Sequence, residues 1–278
     1  MDISRHIGFR NDEGRKLLDY LRANNIPHKE SEILTSLDIL ESNPHWQDIA
    51  AFVEKGIALN TVSQTVFTQQ ELDEAQWLQV RSCWHFEYPQ PENKFEYETI
   101  TYNAEYSCVE CGAGLVQAAP FRMKKVPRWG KRAFFQLNWV SDELFTNTRG
   151  KEKLEQSNFS GVVFREVLDK KGISPLEDIY QMEVCHQLKP GIVEPQSYID
   201  KIQRCPHCGI PKYHSRGIGM MQYHKEAFLD APDIVKTSEV FGWGHYAPRT
   251  ILVRNCVYRT LISQGLAANL IFEPIDLV

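Results

Sequence analysis

The chain has 278 residues, of which 42% are hydrophobic, so it is long enough to bury a core of ordinary size. This composition excludes disordered and fibrous proteins. The formal net charge of −5 argues against a general polyanion binder, although it is compatible with a local basic surface.

The first 80 residues predict a small α/β segment. Apolar periodicity and turn signals predict, in order, helix 11–24, helix 44–55, strand 58–67 and helix 68–77. Asn43 is the expected cap of the second helix, with Pro44 at its first position, and Thr68 to Glu71 is a capping-box pattern. Residues 1–80 hold 13 acidic and 7 basic side chains, whereas residues 81–278 are nearly neutral, so we expect a domain boundary between them.

Residues 81–278 predict a larger domain of mixed strands and helices. Apolar and aromatic segments between turn signals predict strands over 80–88, 95–106, 133–140 and 181–188. A helix, a glycine-containing turn and a strand with Phe near its middle occur twice, over 142–167 and 248–275. The two copies match only loosely, which supports an α+β fold without a repeat architecture.

Two Cys-x-x-Cys-Gly turns are the strongest chemical signal in the chain. Cys108 and Cys111 lie in the first turn, and Cys205 and Cys208 lie in the second. Four thiolates are the ligand set of a closed tetrahedral zinc site, and a glycine after each pair permits the backbone angles of such a turn. We predict one structural Zn²⁺ per chain, held by these four cysteines in a zinc ribbon. Because 93 residues (112–204) separate the turns, the ribbon is expected to be split by an insertion.

Two other interpretations of the cysteines remain open. Cys205-Pro206-His207-Cys208 also matches the dithiol sequence of a thioredoxin-like oxidant, although helix-breaking residues follow Cys208 and a second matched turn has no role there. Alternatively, the four cysteines are unrelated buried thiols. The remaining cysteines, Cys83, Cys185 and Cys256, lie in apolar surroundings and are expected to be buried and inert.

Residues 121–132 form a basic segment in which cationic side chains alternate with aromatic rings. Such a pattern is typical of nucleic-acid surfaces, and the candidate contacts are Arg122, Lys124, Lys125 and Arg128. A solvated loop, or one that offsets the negative charge of a tetrathiolate zinc centre, explains the pattern equally well.

Residues 239–246 alternate two glycines with large aromatic side chains. Phe241, Trp243 and Tyr246 either anchor a protein partner or fill the space between a helix and a sheet.

The two turns and the carboxy-terminal third resemble the double-CxxCG-motif proteins of bacteria. The residues that carry the resemblance are Cys108, Cys111, Gly112, Cys205, Cys208, Gly209, the segment 237–242, and Phe272-Glu273-Pro274 with the helix before it. The resemblance covers roughly residues 100–278 and leaves the first 80 residues unaccounted for. Some members of that family are implied to be immunity proteins, each encoded beside a contact-delivered toxin that it binds and neutralises. The resemblance implies the same role for this chain.

The sequence therefore predicts a non-catalytic, zinc-binding α+β protein that binds a cognate bacterial toxin, with nucleic-acid binding as the alternative. Neither a Ser/His/Asp or Cys/His pattern nor a phosphate-binding glycine loop is present, so no catalytic or organic-cofactor residues are predicted. Residues 1–10 lack the apolar core of a secretory signal, and no segment approaches a membrane-spanning length. Together with a cysteine usage that fits a reducing compartment, this leads us to expect a cytoplasmic protein without membrane contact.

Overall fold

The computed structural model of the protein describes residues 1–196 and 198–278. These residues divide into two compact units, residues 1–71 with 216–219 and residues 72–215 with 220–278. Helices and strands are mixed in both units, which confirms the predicted α+β class. The boundary expected at 80/81 falls inside the strand Trp77–Ser82 of the second unit.

The first unit combines a four-stranded antiparallel sheet with two helices. Its elements are β1 (Asp2–Arg10), α1 (Arg15–Ala23), β2 (Lys29–Glu30), β3 (Leu34–Leu40), α2 (Trp46–Glu54) and β4 (Leu59–Val66). The strands lie in the order β2-β3-β1-β4. A βαββαβ chain with this strand order has the ferredoxin-like arrangement.

One face of this sheet carries the core of the unit. The leucines of α1, Leu17, Leu18 and Leu21, are buried as predicted, and they pack with Ile7 of β1 and Ile49 of α2. Within this unit, a cavity of about 570 Å³ lies over the sheet.

The second helix begins later than predicted. It starts at Trp46, and Pro44 lies in the preceding turn. The Asn43 side chain accepts a hydrogen bond from His45 N at 2.9 Å, so it stabilises that turn instead of capping the helix.

The predicted capping box is present at the start of α3 (Gln69–Glu74). Thr68 N donates to Glu71 Oε2 at 2.8 Å, and Glu71 N donates to Thr68 Oγ1 at 3.2 Å. The helix ends before Trp77, which begins the next strand.

The second unit consists of short strands with three further α-helices in the described part of the chain. Its elements are β5 (Trp77–Ser82), a 3₁₀ helix (Asn93–Phe95), α4 (Tyr97–Thr101), β6 (Tyr102–Asn103), β7 (Val116–Gln117), β8 (Arg122–Met123), β9 (Phe134–Leu137), β10 (Val140–Thr146), α5 (Thr148–Gln156), β11 (Val162–Asp169), β12 (Pro175–Val184), β13 (Ile199–Arg204), β14 (Pro211–Ser215), β15 (Met221–Tyr223), a 3₁₀ helix (Lys225–Phe228), β16 (Ile234–Lys236), β17 (Val240–Phe241), β18 (Ile251–Arg254), α6 (Asn255–Ser263) and β19 (Leu270–Leu277).

These strands form two five-stranded sheets and two smaller ones. The sheet orders are β8-β11-β12-β10-β9, β15-β19-β5-β18-β16, β13-β14-β17 and β6-β7. One buried cluster contains Leu78 of β5, Met182 of β12 and Tyr258 of α6, so it joins the two larger sheets to the last helix.

Three predicted elements of this unit are wrong in part. The segment 95–106 is not one strand, because α4 occupies its first half and buries Tyr97 and Thr101, one turn apart, on a single face. Residues 142–146 belong to β10, and 251–254 to β18, where both predictions extended a helix. In these last two cases, pairing with neighbouring strands of a sheet overrides the local helical pattern.

None of the helices in the described residues is long and apolar enough to cross a membrane.

We predict that Leu17→Ala lowers the free energy of unfolding of the first unit by about 2–5 kcal/mol, because Leu17 is fully buried and the change leaves a cavity. Leu59→Ala is the matched control, since Leu59 is 66% exposed, and should change that free energy by less than about 0.5 kcal/mol. Urea denaturation followed by circular dichroism measures both. Equal effects of the two substitutions would contradict the assigned core.

Candidate metal centre

Each Cys-x-x-Cys-Gly turn lies at the end of an antiparallel strand pair. The first turn lies between β6 and β7, and the second lies between β13 and β14. In both turns, the first cysteine N–H donates to the carbonyl five residues later, and the glycine N–H donates to the carbonyl of that cysteine. These hydrogen bonds are Cys108 N to Ala113 O (2.8 Å), Gly112 N to Cys108 O (2.8 Å), Cys205 N to Ile210 O (3.0 Å) and Gly209 N to Cys205 O (2.9 Å).

The glycine of each turn has left-handed backbone angles, with φ of 71° at Gly112 and 74° at Gly209. The two positions differ in their surroundings. A Cβ atom on Gly112 would lie 1.9 Å from the carbonyl oxygen of His245, whereas a Cβ on Gly209 would meet nothing within 4 Å. Glycine is therefore needed for conformation at both positions, and for close packing at Gly112 as well.

The two turns bring the four predicted ligands together. The Sγ atoms of Cys108 and Cys205 are 3.7 Å apart, as are those of Cys111 and Cys208. All four sulfur atoms lie within 4.8 Å of one another, and they are close enough to bind one metal ion. Three of the cysteines are buried and Cys208 is exposed.

The sulfur spacing fits metal coordination and does not fit disulfides. A disulfide joins sulfur atoms at about 2.0 Å, and none of the four cysteines forms one. Sulfur atoms at the corners of a tetrahedron with metal–sulfur bonds of about 2.3 Å are separated by about 3.8 Å, close to the two short distances here.

The local environment favours a thiolate at one position and opposes it at another. The backbone N–H of Cys208 lowers the pKa of the Cys205 thiol to about 6, and that of His207 acts in the same direction. Burial raises the pKa of the Cys111 thiol to about 12. A bound cation compensates this burial, because it stabilises all four thiolates.

Lys212 is a buried cation beside the centre that the sequence did not identify. It is 4% exposed, and its Nζ donates to three carbonyl oxygens, those of Cys111 (3.1 Å), Gly244 (2.7 Å) and Tyr246 (2.6 Å). Burial lowers the pKa of this ammonium, while the neighbouring cysteines act in the opposite direction. Lys212 therefore connects the first turn, the strand after the second turn and the segment 242–246.

The aromatic segment 239–246 is divided between interior and surface. Phe241 packs in part against the core beside Tyr213. Trp243 is 61% exposed, and its ring stacks on His214 of β14 with ring centroids 3.5 Å apart. Tyr246 is 42% exposed and its hydroxyl donates to Ser141 Oγ.

The basic side chains of the segment 121–132 are largely engaged within the protein. Lys124 is paired with Glu92 at 2.7 Å, and Lys125 lies 3.6 Å from Glu87. The guanidinium of Arg132 lies over the Trp84 ring, 3.6 Å from its centroid.

The aromatic residues of the same segment face inward. Phe121 is fully buried and Trp129 packs against the same core cluster. Lys212 donates to the carbonyl of Cys111, so it is a cation placed to offset thiolate charge at the cysteine cluster.

The three other cysteines are exposed, in contrast to the prediction that they are buried. Cys83 follows the end of β5, Cys185 follows the end of β12 and Cys256 lies in the first turn of α6. Apolar neighbours in sequence did not imply burial of these cysteines. A residue at the end of a strand or the start of a helix can lie outside the face that packs on the core, and its side chain is then exposed.

A buried charge pair lies in a polar cavity of about 270 Å³. Lys236 forms an ion pair with Glu143 and lies 3.7 Å from Asp142. Burial raises the pKa of Glu143, and Gln181 donates to its other carboxylate oxygen at 3.0 Å. These residues are distant in sequence, so no local motif predicts them.

We predict that Gly112→Ala destabilises the second unit more than Gly209→Ala. Both substitutions place a side chain at a left-handed position, which costs about 1–2 kcal/mol. Only the alanine at position 112 also meets the His245 carbonyl. The Gly112→Ala variant should therefore have a clearly lower midpoint of thermal unfolding than the Gly209→Ala variant. Equal midpoints would show that the close packing at Gly112 does not contribute.

A scan against protein-family models and a search of curated proteins both find no match for this chain. Functional assignment therefore depends on the chemistry of the four-cysteine cluster and its surroundings.

Proposed function

We propose that Cys108, Cys111, Cys205 and Cys208 hold one structural Zn²⁺ in a zinc ribbon split by the segment between its two turns. The observation that carries this proposal is the convergence of four sulfur atoms within 4.8 Å from two turns with the same hydrogen bonds. An all-thiolate donor set at tetrahedral spacing favours zinc among the common protein metals. Four protein ligands complete the coordination of the ion, so it would stabilise the fold and leave no position for a substrate.

A closed metal site directs the functional proposal toward binding. We infer that the protein acts without catalysis as an immunity protein, which binds and neutralises a cognate bacterial toxin inside the cytoplasm. The resemblance of both Cys-x-x-Cys-Gly turns to the double-CxxCG-motif proteins supports this proposal. The exposed Trp243, which is presented beside the metal centre, also supports it because large aromatic side chains are frequent anchors of protein interfaces.

We expect the purified protein to contain one zinc ion per chain, and the double variant Cys108→Ser, Cys205→Ser to contain none. Each serine removes one of the ligands, and a site with two thiolates binds Zn²⁺ far more weakly. Elemental analysis and thermal unfolding measure the outcome. The matched control is the double variant Cys83→Ser, Cys256→Ser, which removes two exposed thiols outside the cluster. It should keep the zinc content and the midpoint of thermal unfolding of the wild-type protein. Zinc well below one equivalent in the wild-type protein would contradict the proposal.

We expect the product of the neighbouring gene to be toxic when expressed alone and harmless when this protein is co-expressed. Survival of the producing cells measures protection, and calorimetry with the two purified proteins measures binding. The cysteine double variant should lose protection because its unit is destabilised. Absence of toxicity, or of binding between the purified proteins, would remove the immunity proposal.

Nucleic-acid binding through Arg122, Lys124, Lys125 and Arg128 is the second proposal. The ion pairs of Lys124 and Lys125 with glutamates weigh against it, since paired cations have less charge to offer phosphates. It predicts salt-dependent binding of DNA or RNA that is lost when Arg122, Lys124 and Lys125 are neutralised together. Absence of binding at low salt would exclude it.

A further inference from the structure

The strand β13 has a free edge beside the second turn. It lies at the edge of the sheet β13-β14-β17, and its residues Asp200–Arg204 are all exposed. Cys205 N donates to Ile210 O, and hydrogen-bonded pairs alternate along an antiparallel ladder. With the register Gln203 to Lys212, the N–H groups of Ile202 and Arg204 therefore point away from β14. Among the described strands, β14 is the one neighbour of β13, so neither of these N–H groups has a partner in a strand ladder.

Trp243 stands next to this edge. Its ring covers His214, which pairs with Lys201 of β13, and the Lys201 ammonium lies 5.8 Å from the centroid of the same ring. Burying an indole that is 61% exposed would remove a large apolar area from water. The surface thus combines unpaired backbone groups with an aromatic anchor, as sites that bind an added strand do.

The metal centre holds this anchor in position. Lys212 donates to the carbonyls of Gly244 and Tyr246, and Gly112 packs against the carbonyl of His245. Gly242 N also donates to Tyr213 O of β14 at 3.3 Å. The loop that carries Trp243 is therefore fixed from both Cys-x-x-Cys-Gly turns, which reduces the entropy lost when a partner binds.

The charges on the edge indicate what binds there. Lys201 and Arg204 are exposed and have no ion-pair partner in the described part of the chain. The strand holds one acidic side chain, Asp200, beside these two cationic ones, so its net charge is positive. An extended segment with acidic side chains is complementary to that charge, because opposite charges on facing strands stabilise their pairing.

We propose that β13 and Trp243 form the docking surface for the partner protein, which adds an extended segment bearing acidic side chains to the free edge of β13. This inference rests on the proposed function and identifies the face that performs it. The partner strand would receive hydrogen bonds from Ile202 and Arg204, while Trp243 packs against one of its side chains.

The test uses the full chain with bound metal and the purified product of the neighbouring gene. Trp243→Ala should weaken the Kd by about 30-fold or more, as loss of a central aromatic anchor does. Ile202→Pro should weaken it similarly, because proline removes an outward N–H without breaking the ladder to β14. The controls are Trp139→Ala, at a tryptophan that is 36% exposed on the β9–β10 turn, and Ile202→Val; both should keep the wild-type Kd. Zinc content and the thermal midpoint show whether each variant is folded.

Hydrogen exchange gives a second measurement that needs no variant, since binding should slow exchange at Ile202 and Arg204. If the wild-type protein binds the toxin but both test variants keep its Kd and the two amides are unprotected, the docking surface is wrong while the proposed function stands. If the wild-type protein does not bind the toxin, the proposed function and this inference both fall. Two other results would also overturn the proposal. A dimer in sedimentation that Trp243→Ala dissociates would assign the surface to a second copy of this chain. Binding of single-stranded DNA that depends on Trp243 would assign the surface to nucleic acid.

Discussion

The approach of four sulfur atoms from turns 97 residues apart in sequence is the constraint on which the second unit depends. The strands that carry the first turn are only two residues long, and such a short strand pair has little stability of its own. A covalent cross-link over about 100 residues contributes about 4.7 kcal/mol in chain-entropy models, and a metal clasp restricts the unfolded chain in a comparable way. The intervening sheet β8-β11-β12-β10-β9 is thus enclosed within a loop that the centre closes.

The electrostatics of the centre depend on backbone dipoles and one buried lysine. With the proposed Zn²⁺, four thiolates would carry a charge of about −2, and Lys212 is the cation that β14 places beside the cysteine cluster. Its three carbonyl contacts replace the water that the ammonium loses on burial, so this charge stays buried without a carboxylate partner. The same contacts hold the loop with Trp243, so Lys212 links the cysteine cluster to the surface that this loop forms.

The sequence was sufficient for features that local chemistry specifies. The four cysteines, the capping box at Thr68 and the leucine face of α1 follow from spacing alone, and the structure has all of them. Features that depend on pairing between distant segments were missed, including β1 and β3, although Ile7 and Phe9 in β1 have the two-residue period of a strand. The partners of Lys212 come from residues 111, 244 and 246, so only the folded chain brings them together.

The first unit is completed by a short segment from much later in the chain. Thr65 N of β4 donates to the carbonyl of Gly217 at 3.3 Å, and its hydroxyl bonds to Gly219 N at 2.7 Å. On a ribosome that adds 5–20 residues per second, about 150 residues of synthesis separate these partners, which corresponds to roughly 8–30 s. During that interval the outer edge of β4 is an unpaired strand and an aggregation risk. The second Cys-x-x-Cys-Gly turn is translated just before residues 216–219, so the approach of the four cysteines and the completion of the first unit become possible within one brief window of translation.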